Sequence, residues 1–566
     1  MSVKDSTQVS DAGVVQDPGP RGGDAFARQL VRQGVTEVFG IPGVQLDVAV
    51  DALAEVQSEL NFFNTRHEQA AAYVADGYAR STGRTGVCLV VPGPGMLNAM
   101  AALSTAYACS SPVLCCCGQI PSAAIGRGLG MLHEIQDQSR TLSTVTKWNA
   151  LALRPAQIPG MIRDAIVEAH SERPRPVAVE IPPDVLEARE PFELAAPGEP
   201  RRLKPDPAEL DRAAALLNAA ERPVIYAGGG ITAAAAWSEL QALAERLQAP
   251  VVMSLHGRDA IDARHPLALS SLAGREVLPE ADAVLVVGSR FLTGIGQPVT
   301  TDPGAKLIFI NAEPGDMQAP RRADLSLYAD AKEALAGLHE LVNEVRGGAQ
   351  RALLDAARAS AERQLAEIEP QRAWVRALRA SIPEDGILVN ELTQVGYMSE
   401  VAYPVYGPRT YITPGYQGTL GYGFATAIGA KVGNPHRTVV SINGDGGFGW
   451  NLQELATLKK YNIGLITVVF NDSAFGNVRR TQRTRFGGNV LGTDLVNPDF
   501  VALAGAYGIR GERVNSPEAL AGLIRELGAA CEPVLIEVPL GELQSPWHLI
   551  HDFLAKPKVG MDSENE

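Results

Sequence analysis

Residues 441–476, SINGDGGFGWNLQELATLKKYNIGLITVVFNDSAFG, contain the pattern that decides the fold. A β-branched strand at 438–442 runs into Gly444-Asp445-Gly446-Gly447, and the helical pattern WNLQELATLKK follows. A second apolar strand, at 465–470, ends in Asn471-Asp472-Ser473. A strand, a glycine-rich turn, a helix and another strand make up the βαβ unit of a parallel sheet. The stretch therefore predicts an α/β fold.

The polar residues of this stretch indicate a ligand. Glycines at a strand–helix junction let backbone N–H groups approach a phosphate. Asp445 would repel that phosphate unless a divalent cation lay between them, and magnesium typically takes one or two carboxylates plus phosphate oxygens. Asp472 follows 27 residues later (472 − 445), the length of one helix plus one strand. Both carboxylates should therefore lie at neighbouring strand ends, where open α/β sheets bind ligands.

Alternating strand and helix patterns fill the rest of the chain of 566 residues. They predict three doubly wound parallel-sheet domains, at 22–190, 206–347 and 371–551. A Pro/Gly-rich linker separates the first two domains, and a helical connector at 350–369 precedes the third. We expect residues 1–21 to be a disordered arm and residues 552–566 to be a polar tail.

Composition excludes several classes of protein. The net charge of −14 argues against a nucleic-acid surface. The longest apolar runs have the length of strands, so we expect no membrane association, and the N-terminus does not resemble a secretory signal. Three of the six cysteines are consecutive in PVLCCCGQ, where neighbouring side chains on a strand point to opposite faces. We expect buried, reduced thiols in a cytoplasmic protein and keep a redox or metal role as the lesser alternative.

Gly-Asp-Gly alone is typical of a simple turn. Followed at this interval by Asn-Asp, it resembles the thiamine-diphosphate fingerprint of the acetolactate synthase-like family, which also contains benzaldehyde lyase and pyruvate decarboxylase. The resemblance spans residues 22–548 and implies thiamine diphosphate and Mg²⁺ as cofactors. It also implies that the three domains are pyrimidine-binding, central Rossmann-like and diphosphate-binding. The implied metal ligands are Asp445, Asp472 and the Ala474 carbonyl, and Gly446, Gly447 and Ser473 would bind the cofactor.

Glu68 stands in Arg66-His67-Glu68, directly before the helical run QAAAYVADGYAR. A glutamate at this place also simply favours a helix N-terminus. The resemblance implies that Glu68 is catalytic and binds the cofactor. The matching glutamate hydrogen-bonds the pyrimidine ring and drives it to the imino tautomer, which removes the thiazolium C2 proton.

Two further segments resemble cofactor-binding parts of the family. In GYQGTLGYGFATAIGAKVG, the Gly418 carbonyl and the Leu420 N–H would hold the pyrimidine. The Leu420 side chain would force the two rings into a V shape. The alternative is a glycine-rich helix start that packs closely on a neighbour. Thr393, after the strand GILVN, aligns with the loop that binds the diphosphate.

The substrate side matches the best-known synthases less well. Gln119 corresponds to a glutamine that acetolactate synthases place near the substrate. His133 lies where synthases carry Phe-Gln-Glu and pyruvate decarboxylases carry Leu-His-His, which implies a catalytic acid/base or carboxylate-binding group. A helix-start histidine without such a role is the alternative. Val44, Gln45 and the stretch 477–480 also differ from the synthase pattern.

Two other features leave alternatives open. The arginines at 479, 480, 483 and 485 could bind an anionic tail such as CoA, although a solvated helix face is the simpler interpretation. Synthases bind a non-redox FAD across the central domain. Their Arg-Phe-Asp-Asp-Arg stretch is Arg290-Phe291-Leu292-Thr293-Gly294 here, so FAD is doubtful.

We therefore predict a thiamine-diphosphate-dependent enzyme that makes or breaks a carbon–carbon bond next to a carbonyl. The expected reaction is decarboxylation and carboligation of a 2-oxo acid or dicarbonyl. The alternatives are a lyase or hydrolase for hydroxyketones or diketones, a 2-hydroxyacyl-CoA or oxalyl-CoA type lyase, and a non-catalytic relative. The resemblance implies a homodimer or homotetramer whose active sites are shared between chains.

Overall fold

The computed structural model describes residues 19–293, 296–320, 322–345, 350–528 and 532–551. Three six-stranded sheets, each entirely parallel where its pairing is described, carry helices between successive strands. This confirms the predicted α/β fold with three parallel sheets. The predicted arm lies mostly, and the tail entirely, outside the described residues. The predicted domain bounds stay a prediction. No helix in the described part of the chain is long and apolar enough to cross a membrane.

The first sheet has the strand order β2-β1-β3-β4-β6-β5. Its strands are β1 Glu37–Gly40, β2 Asn61–Asn64, β3 Gly86–Val90, β4 Val113–Gly118, β5 Trp148–Leu151 and β6 Val177–Ile181. Its helices are α1 Gly22–Arg32, α2 Asp47–Glu55, α3 Glu68–Thr82, α4 Pro94–Ala108, α5 Gln138–Leu142, α6 Ile158–His170 and α7 Pro183–Glu187.

The central sheet has the order β12-β11-β10-β7-β8-β9, which is the 3-2-1-4-5-6 order of dinucleotide-binding folds. Its strands are β7 Pro223–Ala227, β8 Val251–Met253, β9 Ala268–Leu269, β10 Ala283–Val287, β11 Lys306–Asn311 and β12 Leu325–Tyr328. Its helices are α8 Pro207–Ala219, α9 Gly230–Ala234, α10 Trp237–Leu247, α11 Ser271–Val277 and α12 Ala331–Leu341, and α13 Arg351–Ala366 leads to the third sheet.

The third sheet has the order β14-β13-β15-β16-β18-β17. Its strands are β13 Ile387–Asn390, β14 Tyr411–Ile412, β15 Val439–Gly444, β16 Ile466–Asn471, β17 Arg510–Arg513 and β18 Val534–Pro539. Its helices are α14 Gln371–Ser381, α15 Gln394–Ala402, α16 Tyr422–Gly433, α17 Asp445–Asn451, α18 Leu455–Tyr461, α19 Gly476–Arg485, α20 Phe500–Ala506, α21 Pro517–Gly528 and α22 Trp547–His551.

The first and third sheets pack together through α3 and α16. Glycines allow this close approach. A Cβ on Gly77 would lie 1.8 Å from the Thr426 carbonyl oxygen, and a Cβ on Gly429 would lie 1.8 Å from the Val74 carbonyl oxygen. Real Cβ atoms do not come so near a backbone oxygen, so both contacts require glycine. The two helices thus join the halves of the chain that carry the predicted site residues.

The cysteine run lies in the centre of the first sheet. Cys115 and Cys117 pack into the core on the side of α3, and Cys116 packs into the core on the opposite face. Burial raises the pKa of the Cys116 and Cys117 thiols well above its ordinary value, and a hydrogen bond with Cys88, followed by burial, does the same for Cys115. The described cysteines are free thiols, in keeping with a packing role.

Candidate active site

Asp445 and Asp472 meet at the carboxyl edge of the third sheet. β15 and β16 pair in parallel with Gly444 opposite Phe470, so the residues that follow the two strands lie side by side. Burial, followed by the neighbouring charge of Asp445, raises the pKa of Asp472 to about 6. Two carboxylates in such proximity repel each other and favour a cation between them. The spacing in the sequence predicted this arrangement.

Amide groups complete an oxygen-rich cluster around this pair. Asn497 donates from Nδ2 to Asp445 Oδ2 at 2.7 Å and to Asn471 Oδ1 at 3.0 Å. The described residues contain no group of three or more His, Cys, Asp or Glu side chains arranged to hold a metal. A magnesium ion here would therefore take its remaining ligands from backbone, water and phosphate oxygens, as is usual for this ion.

Ser473 and Ala474 continue the turn after β16. Ser473 has a φ of 51°, and its backbone N–H and hydroxyl both contact Asn471 Oδ1, at 3.1 and 3.3 Å. Ala474 is buried and forms an antiparallel bridge with Asp494, and its N–H donates to the Asp472 carboxylate. The turn thus holds the second carboxylate from its own backbone.

A cradle of small residues lies beside the carboxylates. Thr393 directly precedes α15, makes no side-chain capping hydrogen bond, and has its Cβ 3.6 Å from where Gly444 would carry one. Gly446 lies against the Phe475 ring, and Gly447 lies against the Glu391 carboxyl, so neither tolerates a side chain without rearrangement. The backbone is therefore free to approach a diphosphate, and the donor set fits both that group and magnesium.

Sequence reasoning missed Glu391. This residue follows β13 directly, is buried, and accepts a hydrogen bond through Oε1 from the Gly421 N–H at 2.8 Å. Among the described residues no group pairs with its Oε2. Burial raises the pKa of Glu391 to about 8. The sequence signal for this residue is an acidic side chain directly after a strand, at the edge where parallel sheets bind ligands.

The predicted pyrimidine-holding turn precedes α16. Gly418 and Gly421 have φ values of 55° and 80°, conformations that an ordinary side chain rarely adopts. Leu420 lies between them and is partly exposed. Asn451, at the end of α17, donates to the Gly421 carbonyl at 2.6 Å. The turn and the Asp445 cluster are thus parts of one connected structure.

Glu68 lies at the corresponding edge of the first sheet. It begins α3 after the turn that follows β2, and the His67 side chain caps the helix by accepting from the Gln69 N–H. Asn98 on α4 donates to Glu68 Oε2 at 3.0 Å. A Cβ on Gly95 would lie 3.4 Å from Glu68 Oε1. Glu68 is partly exposed, and the Asn98 amide is the side chain that orients it among the described residues.

His133 lies on the same edge of the first sheet. Its φ is 69°, and a Cβ on Gly93 would lie 2.3 Å from its carbonyl oxygen. His133 is thus part of a loop and does not begin a helix. Gly93 and Gly95 lie on one turn after β3, so His133 and Glu68 lie on either side of that turn.

Gln119 follows β4 and is engaged in a buried hydrogen-bond network. Its Nε2 donates to Glu180 Oε2 at 3.0 Å, and its Oε1 accepts from the Ile120 N–H at 2.8 Å. Gln138 and Ser139 also donate to the Glu180 carboxylate. Burial raises the pKa of Glu180. The network fixes the Gln119 amide at the sheet edge, and sequence reasoning did not identify Glu180.

Glu68, Gln119 and His133 have no direct hydrogen bond or ion pair to the cluster around Asp445 within the described part of one chain. Other residues connect the two domains: Glu454 accepts from the Arg66 N–H at 3.0 Å, and the Tyr73 hydroxyl donates to Thr419, in the turn of Gly418 and Leu420, at 2.8 Å. Burial raises the pKa of Glu454 to about 7. The structure thus brings the third-domain residues together in one cluster and the first-domain residues in another.

Two of the four arginines of the predicted basic patch pair with carboxylates, and a third donates to a backbone carbonyl. Arg479 pairs with Asp494 at 3.0 Å, Arg483 pairs with Glu542, and Arg480 donates to the Leu543 carbonyl at 2.7 Å. These contacts attach α19 to neighbouring segments. An anionic ligand would have to displace these partners, so the contacts support the simpler interpretation of the patch.

A cavity of about 600 Å³ opens at the carboxyl edge of the central sheet. Gly229 and Gly230 after β7, Ser289 and Arg290 after β10, and Asn311 at the end of β11 contribute to its lining. Phe291 is turned into the core, where its ring packs edge-on against Tyr226 at 4.8 Å. The cavity has the size of a nucleotide site, but the acidic residues of the synthase pattern are absent from 290–294.

Comparison with known families gives matches to all three predicted domains. The model described as the N-terminal TPP binding domain of thiamine pyrophosphate enzymes matches residues 20–141. The central-domain model of the same enzymes matches residues 210–338, and their C-terminal TPP binding domain matches residues 393–538.

Individual relatives match along most of the chain. A probable acetolactate synthase large subunit of Methanocaldococcus jannaschii is 34% identical, covering 92% of this chain and 91% of the relative. A probable 2-ketoarginine decarboxylase of Pseudomonas aeruginosa is 37% identical, with coverages of 90% and 91%. The acetolactate synthase isozyme 2 large subunit of Escherichia coli is 30% identical, with coverages of 92% and 96%.

Proposed function

The chain belongs to the thiamine pyrophosphate enzymes, and from that premise we propose that it decarboxylates a 2-oxo acid and passes the remaining fragment to a second carbonyl. The observation that carries this proposal is the meeting of Asp445 and Asp472 beside a cradle of glycines. Such a site suits a diphosphate bound through a divalent cation. Bound thiamine diphosphate supplies the electron sink for breaking or making a bond next to a carbonyl.

Each part of the site has a proposed role. Asp445, Asp472 and the Ala474 carbonyl would hold magnesium, and Thr393, Gly446, Gly447 and Ser473 would surround the diphosphate. Gly418 and Leu420 would position the pyrimidine, and Glu68 would exchange a proton with it. The convergence of the two carboxylates and the tight packing around Gly447 support these assignments.

His133 and Gln119 would act on the substrate. His133 lies across one turn from Glu68, within reach of a molecule bound between them. Its imidazole would bind the substrate carboxylate or move a proton near the reacting carbon. Gln119 has both ends of its amide engaged, so it would act by shaping the edge of the site.

We propose that two copies of the chain share each active site, in a homodimer or homotetramer. The lack of any hydrogen bond between Glu68 and the Asp445 cluster among the described residues of one chain supports this. Large apolar side chains near both half-sites are also more than half exposed. They are Val44 and Leu132 in the first domain, and Trp450 and Leu491 in the third. Exposed apolar side chains grouped in this way mark an interface.

FAD has less support than thiamine diphosphate. We propose that the central cavity does not bind it, because the residues that follow Phe291 depart from the synthase pattern. Absorbance of the purified protein near 450 nm, and a titration of the protein with FAD, would test this. Saturable binding of FAD would contradict the proposal.

A cytoplasmic location is also proposed. Cys88 and the three thiols at 115–117 are unpaired and buried in the first sheet. Such thiols are typical of proteins from reducing compartments.

The direct test is incubation with thiamine diphosphate, Mg²⁺ and pyruvate, with separate detection of carbon dioxide, acetolactate, acetoin and acetaldehyde. We expect carbon dioxide together with a carboligated product. Absence of turnover with every 2-oxo acid would overturn the proposal and favour the lyase or hydrolase of hydroxyketones and diketones.

The cofactor assignment has its own test. Asp445→Ala should abolish saturable, magnesium-dependent binding of thiamine diphosphate in a calorimetric titration. Asp282→Ala, which changes an aspartate of the central domain, serves as the control and should bind as the unaltered chain does. Unchanged affinity in Asp445→Ala would refute the metal site.

A further inference from the structure

The segment that carries His133 lies against the edge of the first sheet and is held there by few contacts. Gln45, which follows β1, donates from Nε2 to the Leu132 carbonyl oxygen at 3.2 Å. Gly93 allows the close approach of the His133 carbonyl from the other side. Leu132 itself is 63% exposed. Gln45 therefore ties the residue before His133 to the edge of the first sheet by a side-chain hydrogen bond.

The partner of this bond fixes the orientation of the amide. The Leu132 carbonyl can only accept, so the nitrogen of Gln45 must face it and the oxygen must point elsewhere. Gln45 is 5% exposed, and among the described residues no group donates to its Oε1. A buried acceptor without a donor is unfavourable, and native proteins keep few of them.

The neighbourhood of Gln45 is that of the substrate-side residues. A Cβ on Gly118, directly before Gln119, would lie 3.5 Å from the Gln45 Cβ. His133 Nδ1 is a second buried polar atom without a partner among the described residues. Both atoms belong to the edge where Glu68 also lies. A bound molecule that satisfied both would lie beside the proposed cofactor base.

We propose that Gln45 determines substrate specificity, positioning the His133 segment through Nε2 and accepting through Oε1 a hydrogen bond from the substrate. The preferred substrate is then a 2-oxo acid that carries a hydrogen-bond donor, such as a hydroxyl, amino or guanidino group. This inference rests on the proposed function. It goes beyond it by naming the substrate class.

The test uses pairs of 2-oxo acids of similar size, one with and one without a donor. 3-Hydroxypyruvate is compared with 2-oxobutanoate, and 5-guanidino-2-oxopentanoate with 7-methyl-2-oxooctanoate. kcat and KM are measured from carbon dioxide release by the full chain with its cofactors. We expect kcat/KM to favour the donor-bearing member of at least one pair by about tenfold, the value of one neutral hydrogen bond.

Two variants separate the two roles of Gln45. Gln45→Met removes both polar atoms, so the preference should fall to near unity, with KM rising for the donor-bearing acid. Gln45→Glu keeps an acceptor oxygen and loses the N–H, so the preference should survive while kcat falls for both members of the pair. Gln33→Met is the matched control, because Gln33 Nε2 also donates to a backbone carbonyl, that of Ala195 at 3.0 Å.

The outcomes are distinguishable. An unchanged preference in a folded Gln45→Met, or no preference in the unaltered chain for either pair, would overturn this inference and leave the proposed function standing. Loss of preference in Gln33→Met to the same extent would also overturn it, since the effect would then be structural. No carbon dioxide from any of the four acids would instead refute the proposed function itself. Thermal melting of each variant verifies folding.

Discussion

The first and third sheets have the same strand order, but different types of residue follow their corresponding strands. Numbered from the start of each domain, both have the strand order 2-1-3-4-6-5. At the third position, β3 leads into a turn of prolines and glycines, whereas β15 leads into Asp445 and its glycines. At the fourth position, β4 leads into Gln119, whereas β16 leads into Asn471 and Asp472.

The helices after the second strand show the same division. α3 begins with Glu68, whereas α16 follows the glycine turn that includes Gly418. These helices pack face to face through reciprocal glycines, so the two sheets resemble the halves of a symmetric pair. The comparison shows that the strand order determines where a site lies and that a few residues in the turns determine what the site binds.

Removing the carboxyl group of Glu68, in the first domain, should have the largest effect on activity. Glu68→Gln should lower kcat on the order of 10²–10⁴-fold, because a proton-transfer group is lost, while the affinity for thiamine diphosphate and Mg²⁺ changes little. Steady-state rates and a calorimetric titration would measure the two quantities. Glu59→Gln, at an exposed position of the same domain, is the control. A kcat unaffected by Glu68→Gln would refute the proton-transfer role of Glu68, and no measurable activity in either protein would indicate a non-catalytic relative.

Mixing two inactive variants tests whether the first domain of one chain and the third domain of another form one active site. Asp445→Ala and Glu68→Gln are each expected to be inactive, but a heterodimer of the two would contain one unaltered site. Random reassociation should restore about a quarter of the original activity, because half of the dimers are mixed and each has one working site of two. A site built within one chain would give no recovery, since both chains are defective.

Gly77 on α3 and Gly429 on α16 provide a test of how closely the first and third sheets pack together. Gly77→Ala and Gly429→Ala should each lower the free energy of unfolding by about 1–3 kcal/mol, because the new methyl group meets a backbone oxygen. Gly522→Ala on α21 is the control, since a Cβ there meets nothing within 4 Å. It should leave stability equal or raise it by about 0.5–1 kcal/mol. Chemical unfolding curves would distinguish these outcomes, and tolerance of both interface changes would contradict the close packing of α3 and α16.

Glu391, buried after a strand of the third sheet, should make the stability of the chain depend on pH. Its pKa is raised from 4.5 to about 8 by burial, so the folded chain favours the neutral carboxyl. The resulting stability is fully present below pH 4.5 and is lost as the pH rises through about 8. Glu391→Gln should therefore gain on the order of 2–4 kcal/mol relative to the unaltered chain between pH 5 and 8. Melting temperatures of the cofactor-free proteins across this range would measure the gain, and parallel curves would refute it.

The local parts of the fold and of the third-domain site followed from the sequence. Asp445 and Asp472 could be placed at neighbouring strand ends because one helix and one strand separate them. Parallel strands also present their carboxyl ends at a common edge. The alternation of faces at Cys116 likewise follows from the period of a strand. These inferences use short separations along the chain, where covalent geometry limits the choices.

Other features needed the folded chain. Asn497 bonds to Asp445 from 52 residues away, and Gln45 holds a segment 87 residues further along. Glu180 engages Gln119 across 61 residues. No periodicity relates such pairs, so their contact depends on how the strands order themselves and how the loops return.

By itself, the sequence determined the α/β class and the residues that meet at one edge of the third sheet, because these depend on local periodicity and on the turns after the strands. The cofactor type followed from the resemblance of the sequence motifs to a known family. Only the tertiary structure decided that the first and third sheets share one strand order. It also decided that Gln45 and Glu391 are buried, each with an oxygen that has no hydrogen-bond partner among the described residues. Those properties arise from packing between distant segments, which selects among many arrangements that the same local patterns would allow.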